Sequence, residues 1–220
     1  MKKFTATTVI ALIVWLIPII YLVCIFSKLP ASVPLHFSND GTPNRMGSKF
    51  EFLGAMIFMF AITIGVYLLL IFLPSIDPKA KAKYSEDTFK KIALALVFFL
   101  STLCVIIIYS VLNGGFKFSK IQYPLFGVFF AYLGNLMYNI KPNYFAGIRT
   151  PWTLEDEDTW RMTHRLAGKM WFAGGVAIVL LTLLSDSSFA RIFFIAAIAI
   201  MALTPVVYSY VYYKKNHPKK

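Results

Sequence analysis

The sequence predicts an all-α integral membrane protein: a bundle of six transmembrane helices with a cytoplasmic amphipathic helix before the fifth span. Three observations predict it. The 220 residues are 58% hydrophobic and 15% charged, with a mean hydropathy of +0.67, where a soluble domain is roughly 45–50% apolar. Six apolar runs approach the length of about 20 residues that crosses a bilayer as a helix. Lysine and arginine are unevenly shared between the intervals. With the N-terminus inside, 16 fall on the inner side and 6 on the outer, the bias that places both termini in the cytoplasm of a cell whose membrane holds the chain. The same distribution rejects nucleic acid as the partner that a net charge of +12 invites, because the basic residues are dispersed among loops on one side of a membrane.

Taken in order, the chain starts with the basic Lys2 and Lys3. Residues 9–26 form the first span, with Pro18 as a tolerated kink. The run is longer than the apolar core of a secretory signal, and no small-x-small cleavage site follows it. Residues 28–51 are an outer loop kept extended by Pro30 and Pro34, with a turn at Asn39-Asp40-Gly41. In it His36 is a candidate ligand or pH sensor, although a lone histidine beside Phe37 is more often structural. Residues 52–73 are the second span, 74–91 a lysine-rich inner loop, and 92–112 the third span. A turn with Gly114-Gly115 leads to the fourth span at 121–140. The fifth, 170–184, is short unless the preceding helix extends it. A tight turn at 185–188 leads to the sixth at 189–211, which contains Pro205 and ends in an aromatic exit belt of Tyr208, Tyr210, Tyr212 and Tyr213. Cys24 and Cys104 lie in apolar runs and read as small core residues; no metal or disulfide spacing is present.

Residues 134–171 form the longest polar interval, and the rest of the chain is organised around it. Lys141-Pro142-Asn143 should end the fourth span, and Gly147 permits a turn. Thr150-Pro151-Trp152-Thr153 reads as an extended lead-in, and Thr153 with Asp156 fits a capping box. Glu155, Asp156, Glu157 and Asp158 crowd the first turn, where the helix dipole favours negative charge. Arg161, Arg165 and Lys169 follow at steps of four, and Glu157 can pair with Arg161. Trp160, His164, Ala167 and Trp171 share one face. This is an amphipathic helix at the membrane surface that runs into the next span. A well-made connector with no partner has the same local physics.

The chemistry needed for several function classes is missing from the sequence. No ionisable residue lies in the middle of a span, which counts against an ion-coupled transporter. There is no H-E-x-x-H, G-x-S-x-G or G-x-x-x-x-G-K-[ST], so no enzyme and no cofactor are expected. His36 is predicted outside and His164 and His217 inside, so the three cannot share a metal. The acids at 155–158 do not converge on a point. Arg149, flanked by Gly147 and Pro151 and near Tyr144 and Trp152, is the most suggestive single charge: a guanidinium there can take a lipid phosphate or stack on a ring.

These residues carry a family resemblance. Gly147, Ile148, Arg149, Thr150, Pro151, Trp152, Thr153 and Leu154, then Asp156, Glu157, Trp160, His164, Arg165, Gly168 and Lys169, resemble the signature segment of the SdpI family. Those are bacterial multi-pass membrane proteins that confer immunity to the sporulation-delaying peptide toxin. Pro30, Pro34, His36, Phe37, Gly41, Arg45, Ser48 and Lys49 resemble the DUF1648 module that often precedes such a segment. The resemblance divides the chain into a DUF1648-like segment (1–73), a middle segment (74–120) and an SdpI-like segment (121–220). It implies a non-enzymatic immunity protein of the bacterial cell membrane, with a peptide toxin and membrane lipid as partners. In the founding system a cytoplasmic repressor is also sequestered. It makes Asn143, Gly147, Arg149, Thr150, Pro151, Trp152, Thr153, Trp160, His164 and Arg165, with Pro34, His36 and Arg45 in the first loop, the candidate binding or signature residues. The alternative is a transporter or exporter of a small or peptide substrate, with Gln122, Asn135, Asn139 and Thr204 as the modest polar candidates for its path.

Overall fold

The computed structural model describes residues 6–38, 42–76, 86–113 and 119–217. The expected turn at Asn39-Asp40-Gly41, the Gly114-Gly115 turn and the lysines Lys79, Lys81 and Lys83 lie outside these residues. Seven α-helices are described: α1 (Ala6–Ile25), α2 (Lys49–Ile76), α3 (Glu86–Leu112), α4 (Ser119–Met137), α5 (Pro151–Glu155), α6 (Glu157–Leu184) and α7 (Ser187–Asn216). Five of them, α1, α2, α3, α6 and α7, are long and apolar enough to cross a membrane. α4 has 19 residues and is not among the five: Lys120, Gln122 and Asn135 dilute its apolar character. Pro18 and Pro205 sit inside continuous helices, as lipid-embedded helices tolerate.

The helices form as residue runs whose backbone polar groups have no water to turn to, so each must satisfy them internally. Buried hydroxyls do the same locally: Thr63, Ser110 and Thr182 each donate to the carbonyl four residues back, on Met59, Ile106 and Ile178. Cys104 is buried as expected, but Cys24 is exposed on α1.

The chain forms two compact units. The first is Met1–Leu69 with Ala93–Gln122; the second is Leu70–Ile92 with Tyr123–Lys220.

In the first unit the loop between α1 and α2, expected as an ordered extended segment, is paired with itself. It is an antiparallel hairpin of β1 (Ser32–Phe37) and β2 (Pro43–Ser48), paired Ser32 to Ser48, Val33 to Gly47, Pro34 to Met46, His36 to Arg45 and Phe37 to Pro43. The prolines pointed to an extended loop. They are also compatible with a strand here, because each strand of a two-stranded ribbon has a free edge, and a missing N–H that faces that edge breaks no ladder. The hairpin is seated by Val33, which is wholly buried with Leu22 and Ile25 of α1, Phe52 and Met56 of α2, and Ile108 of α3. The Trp15 indole donates to the Phe60 carbonyl at 3.0 Å, tying α1 to α2.

In the second unit α4 and α6 run antiparallel in backbone contact. A Cβ on Gly134 would stand 2.5 Å from the Phe172 nitrogen and 2.8 Å from the Gly168 carbonyl oxygen; one on Gly175 would meet the Ala131 nitrogen and the Gly127 oxygen, each at 2.5 Å. Gly127 and Gly134 are thus matched to Gly175 and Gly168, two turns apart on each helix. Small residues are the usual means of close helix approach in lipid, where apolar surface alone gives no drive to associate. Phe130 packs edge-on to Trp171, and Tyr123 stacks on Phe194 of α7.

We expect Gly134→Val to destabilise the protein by about 1–3 kcal/mol through overpacking, whereas Gly54→Ala, whose added carbon meets nothing beyond its own helix within 4 Å, does not destabilise it. Thermal unfolding of the detergent-solubilised protein, followed by circular dichroism, separates the two; equal midpoints would show the seam to be slack.

Candidate functional site

The segment between α4 and α6 is built from its own side chains. α4 ends at Met137, before Lys141-Pro142, in tight turns that close with Asn139 N–H to Leu136 O and Ile140 N–H to Met137 O. Asn143 is then buried and fully used. Its amide nitrogen donates to the carbonyls of Lys141 (2.9 Å) and Ala146 (3.1 Å), and its amide oxygen accepts from the N–H groups of Phe145 and Ala146, both at 2.8 Å. One side chain thereby closes the loop on itself, as asparagine does in turns.

Gly147 has φ +110°, a backbone region that residues with a side chain rarely adopt. A Cβ there would also stand 2.4 Å from His164 Nε2. The bare glycine lets the next residue reach that ring: Ile148 N–H donates to His164 Nε2 at 3.0 Å, and His164 Nδ1 lies 2.9 Å from the Trp160 carbonyl oxygen. A carbonyl only accepts and an N–H only donates, so the ring must carry its proton on Nδ1 and be neutral. Trp160 stacks on the same imidazole with centroids 4.1 Å apart, and its indole donates to the Ile140 carbonyl at 2.8 Å. Both rings are buried.

Two sequence expectations shift by one turn. Thr150-Pro151-Trp152-Thr153 is not an extended lead-in. Only Thr150 is extended; Pro151 opens α5, since its fixed φ and missing N–H suit a first helical position. The capping box is accordingly Thr150 with Thr153, each side-chain oxygen accepting from the other's N–H, rather than Thr153 with Asp156. Asp156 instead caps the next helix, its carboxylate accepting from the Thr159 N–H at 2.7 Å and the Thr159 hydroxyl at 2.5 Å. The Thr159 hydroxyl, then its N–H, hold the Asp156 carboxyl below the usual carboxylate range. The stretches expected as a surface helix and as a fifth span are a single element, α6, 28 residues long. Arg161 pairs with Asp158, one turn away.

Sequence reasoning missed the partners on α7. The Thr150 hydroxyl is 3.0 Å from that of Ser209, which itself donates to the Val206 carbonyl at 2.7 Å. Trp152 packs on Tyr210 with centroids 4.9 Å apart, and Tyr212 donates to Asp158 at 2.7 Å. Two of the tyrosines read as an exit belt therefore dock α5 and the start of α6. Nothing in their own stretch of sequence distinguishes such partners from a lipid-facing belt.

The structure thus sorts the candidates. Asn143, Thr150, Thr153, Trp160 and His164 are buried and hydrogen-bonded, Thr150 to Thr153 and His164 to the Trp160 carbonyl, with Gly147 making room for the His164 and Trp160 rings. Pro151 starts a helix. Arg149 is exposed, donating to the Tyr144 carbonyl, and Trp152 is half-buried. Arg165 is exposed on α6. In the first unit, Pro34 is buried in β1, His36 Nδ1 lies 2.6 Å from Asn44 Oδ1, and Arg45 pairs with Glu51 at 2.7 Å; His36, Arg45 and Glu51 are exposed. Among the described residues no three histidine, cysteine or acidic side chains gather as a metal site would require. What the arrangement offers is a rigid loop presenting a cation and aromatic surface.

Fold and site define a multi-span helical membrane protein with a hairpin after its first helix and an internally bonded loop before α6. Its resemblance to the SdpI family is borne out: residues 139–209 match the SdpI/YfhL protein family and residues 13–61 match DUF1648, a domain of unknown function. The chain is also 27% identical over 217 residues to the Immunity protein SdpI of Bacillus subtilis (strain 168), covering 98% of each chain. No solved structure matches it.

Asn143→Ala removes four hydrogen bonds and strands buried backbone groups; we expect a loss of about 1–3 kcal/mol in thermal unfolding, against no change for Arg149→Ala. Asp156→Ala should cost about 1 kcal/mol at neutral pH. Because the folded carboxyl is held low, its contribution is present above the unfolded pKa and is lost as pH falls through the folded one. The gap between Asp156→Ala and the parent should therefore close on acidification, and a gap independent of pH would refute the cap.

Proposed function

We propose that this chain is a multi-pass immunity protein of a bacterial cell membrane, protecting the cell from a secreted, membrane-active peptide toxin. The observation that carries the reading is the similarity to the Immunity protein SdpI along 98% of both chains, which aligns the hairpin region, the loop and the helices together. The reading has six spans. α4 is the fourth, its modest hydropathy compensated by the glycine seam that packs it on α6. Both termini are cytoplasmic, which the distribution of 16 and 6 basic residues supports. The first turns of α6, up to Lys169, then lie at the interface as an amphipathic segment.

In this reading protection is binding rather than catalysis. Toxin is met by the hairpin with His36 and Arg45, and by the outer ends of the spans, before it disrupts lipid. The loop around Arg149 and Trp152 holds the bundle and offers an exposed cytoplasmic face. Sequestration of a repressor, as in the founding system, requires such a face, and a bundle whose two states toxin biases. The segments 1–73, 74–120 and 121–220 are the corresponding division of labour.

Expression in a toxin-sensitive bacterium should give survival against the sporulation-delaying peptide and none against an unrelated membrane-active peptide. Failure to protect, with the protein verified in the membrane, overturns the reading for that toxin. The double variant Arg149→Ala/Trp152→Ala should insert normally yet protect less well. Full protection at normal expression would remove those two side chains from the function.

A further inference from the structure

Above the point where Gly134 and Gly168 bring α4 and α6 into backbone contact, an open cavity of about 380 Å³ is lined by Asn135, Tyr138, Arg165 and Lys169, with Phe172 beside them. Arg165 and Lys169 lie one turn apart on the same face of α6. Both are exposed. Among the described residues neither forms an ion pair or hydrogen bond, and no acidic residue lines the cavity. Asn135 and Tyr138, also exposed, add hydrogen-bond donors. Two uncompensated cations with neutral donors and no carboxylate are the requirements of an anion site, and a guanidinium beside an ammonium suits a phosphate.

The position of the cavity says which phosphate. Lys169 is the last charged residue before the apolar run at 170–184. From it the same face of α6 continues through Phe172, Val176 and Leu180, all exposed large hydrophobics at helical steps. A free phosphate would have no use for that stripe, whereas an acyl chain would lie along it. We infer that this cavity binds the headgroup phosphate of an anionic phospholipid, with an acyl chain on Phe172, Val176 and Leu180. The site is separate from the Arg149 loop and does not rest on the immunity reading, since its test reads lipid and not survival.

The test is native mass spectrometry of the full-length protein released from detergent, mixed with phosphatidylglycerol, phosphatidylcholine or inorganic phosphate. Phosphatidylglycerol should be retained in preference to phosphatidylcholine. R165Q/K169Q should lower its retention by about thirtyfold, given the contribution of each basic residue at an anionic surface. The charge-preserving R165K/K169R should keep most of it, and millimolar inorganic phosphate should not displace it. Should R165Q/K169Q fail to fold, N135D serves: it leaves both cations in place, adds a carboxylate beside them, and is expected to weaken retention. Equal retention of the two lipids by the unaltered protein, unchanged retention in the folded double variant or in N135D, or displacement by inorganic phosphate would each overturn the assignment.

Discussion

The neutral imidazole of His164 holds the second unit's loop together. It accepts from the loop backbone, at Ile148 N–H, and donates to the helix, at the Trp160 carbonyl. Trp160 lies flat on the ring and ties it to the end of α4 through Ile140. Gly147 is required because the ring occupies the space where any Cβ would go. The Asn143 closure, the Thr150 and Thr153 box and the Asp156 cap all fix the path that delivers Ile148 to that nitrogen. Each is individually modest, as hydrogen bonds in proteins are, and they act together by holding successive parts of one path.

A comparable constraint governs the helices below it. In lipid the usual apolar drive for helix association is absent, so contact depends on shape. Two glycines on α4 facing two on α6 bring the backbones together, and aromatic contacts to Trp171 and Phe194 fill the flanks. The first unit works differently. There a soluble-like hairpin buries Val33 among side chains of three helices, so ordinary side-chain packing supplies what glycine supplies in the second unit.

The helices long enough to cross a membrane were legible because a run of apolar residues needs no periodicity to be read; observed ends extend a few residues past the runs, as at Lys49–Ile76 for 52–73. α4 was harder, since its polar residues lower its hydropathy and its partner is identified only by which glycines face each other. The hairpin was hidden because Pro34 and Pro43 argue against strands everywhere except at an edge. In the loop the residue types were legible and the register was not. Two threonines three apart, followed by an aspartate, admit two capping schemes, and proline at the first helical position decided between them. Ser209, Tyr210 and Tyr212 were illegible as partners, because nothing in the local sequence of α7 says that another helix begins beside it.

The continuity of α6 has a mechanical consequence. Its 28 residues form a rod about 42 Å long, with no proline and no break between the bonded loop and the apolar end. It is held against α4 at both Gly168 and Gly175, where the missing side chains bring the backbones together. Beyond Gly168 its N-terminal part extends as an arm. The arm from Gly168 to Glu157 is about 16 Å, so a tilt of about 5° displaces the start of the helix by on the order of 1 Å. That arm carries Trp160 and His164, and the Asp156 cap sits at its tip. Small angular changes along the buried half would therefore arrive at the loop as translations comparable to the tolerance of a hydrogen bond.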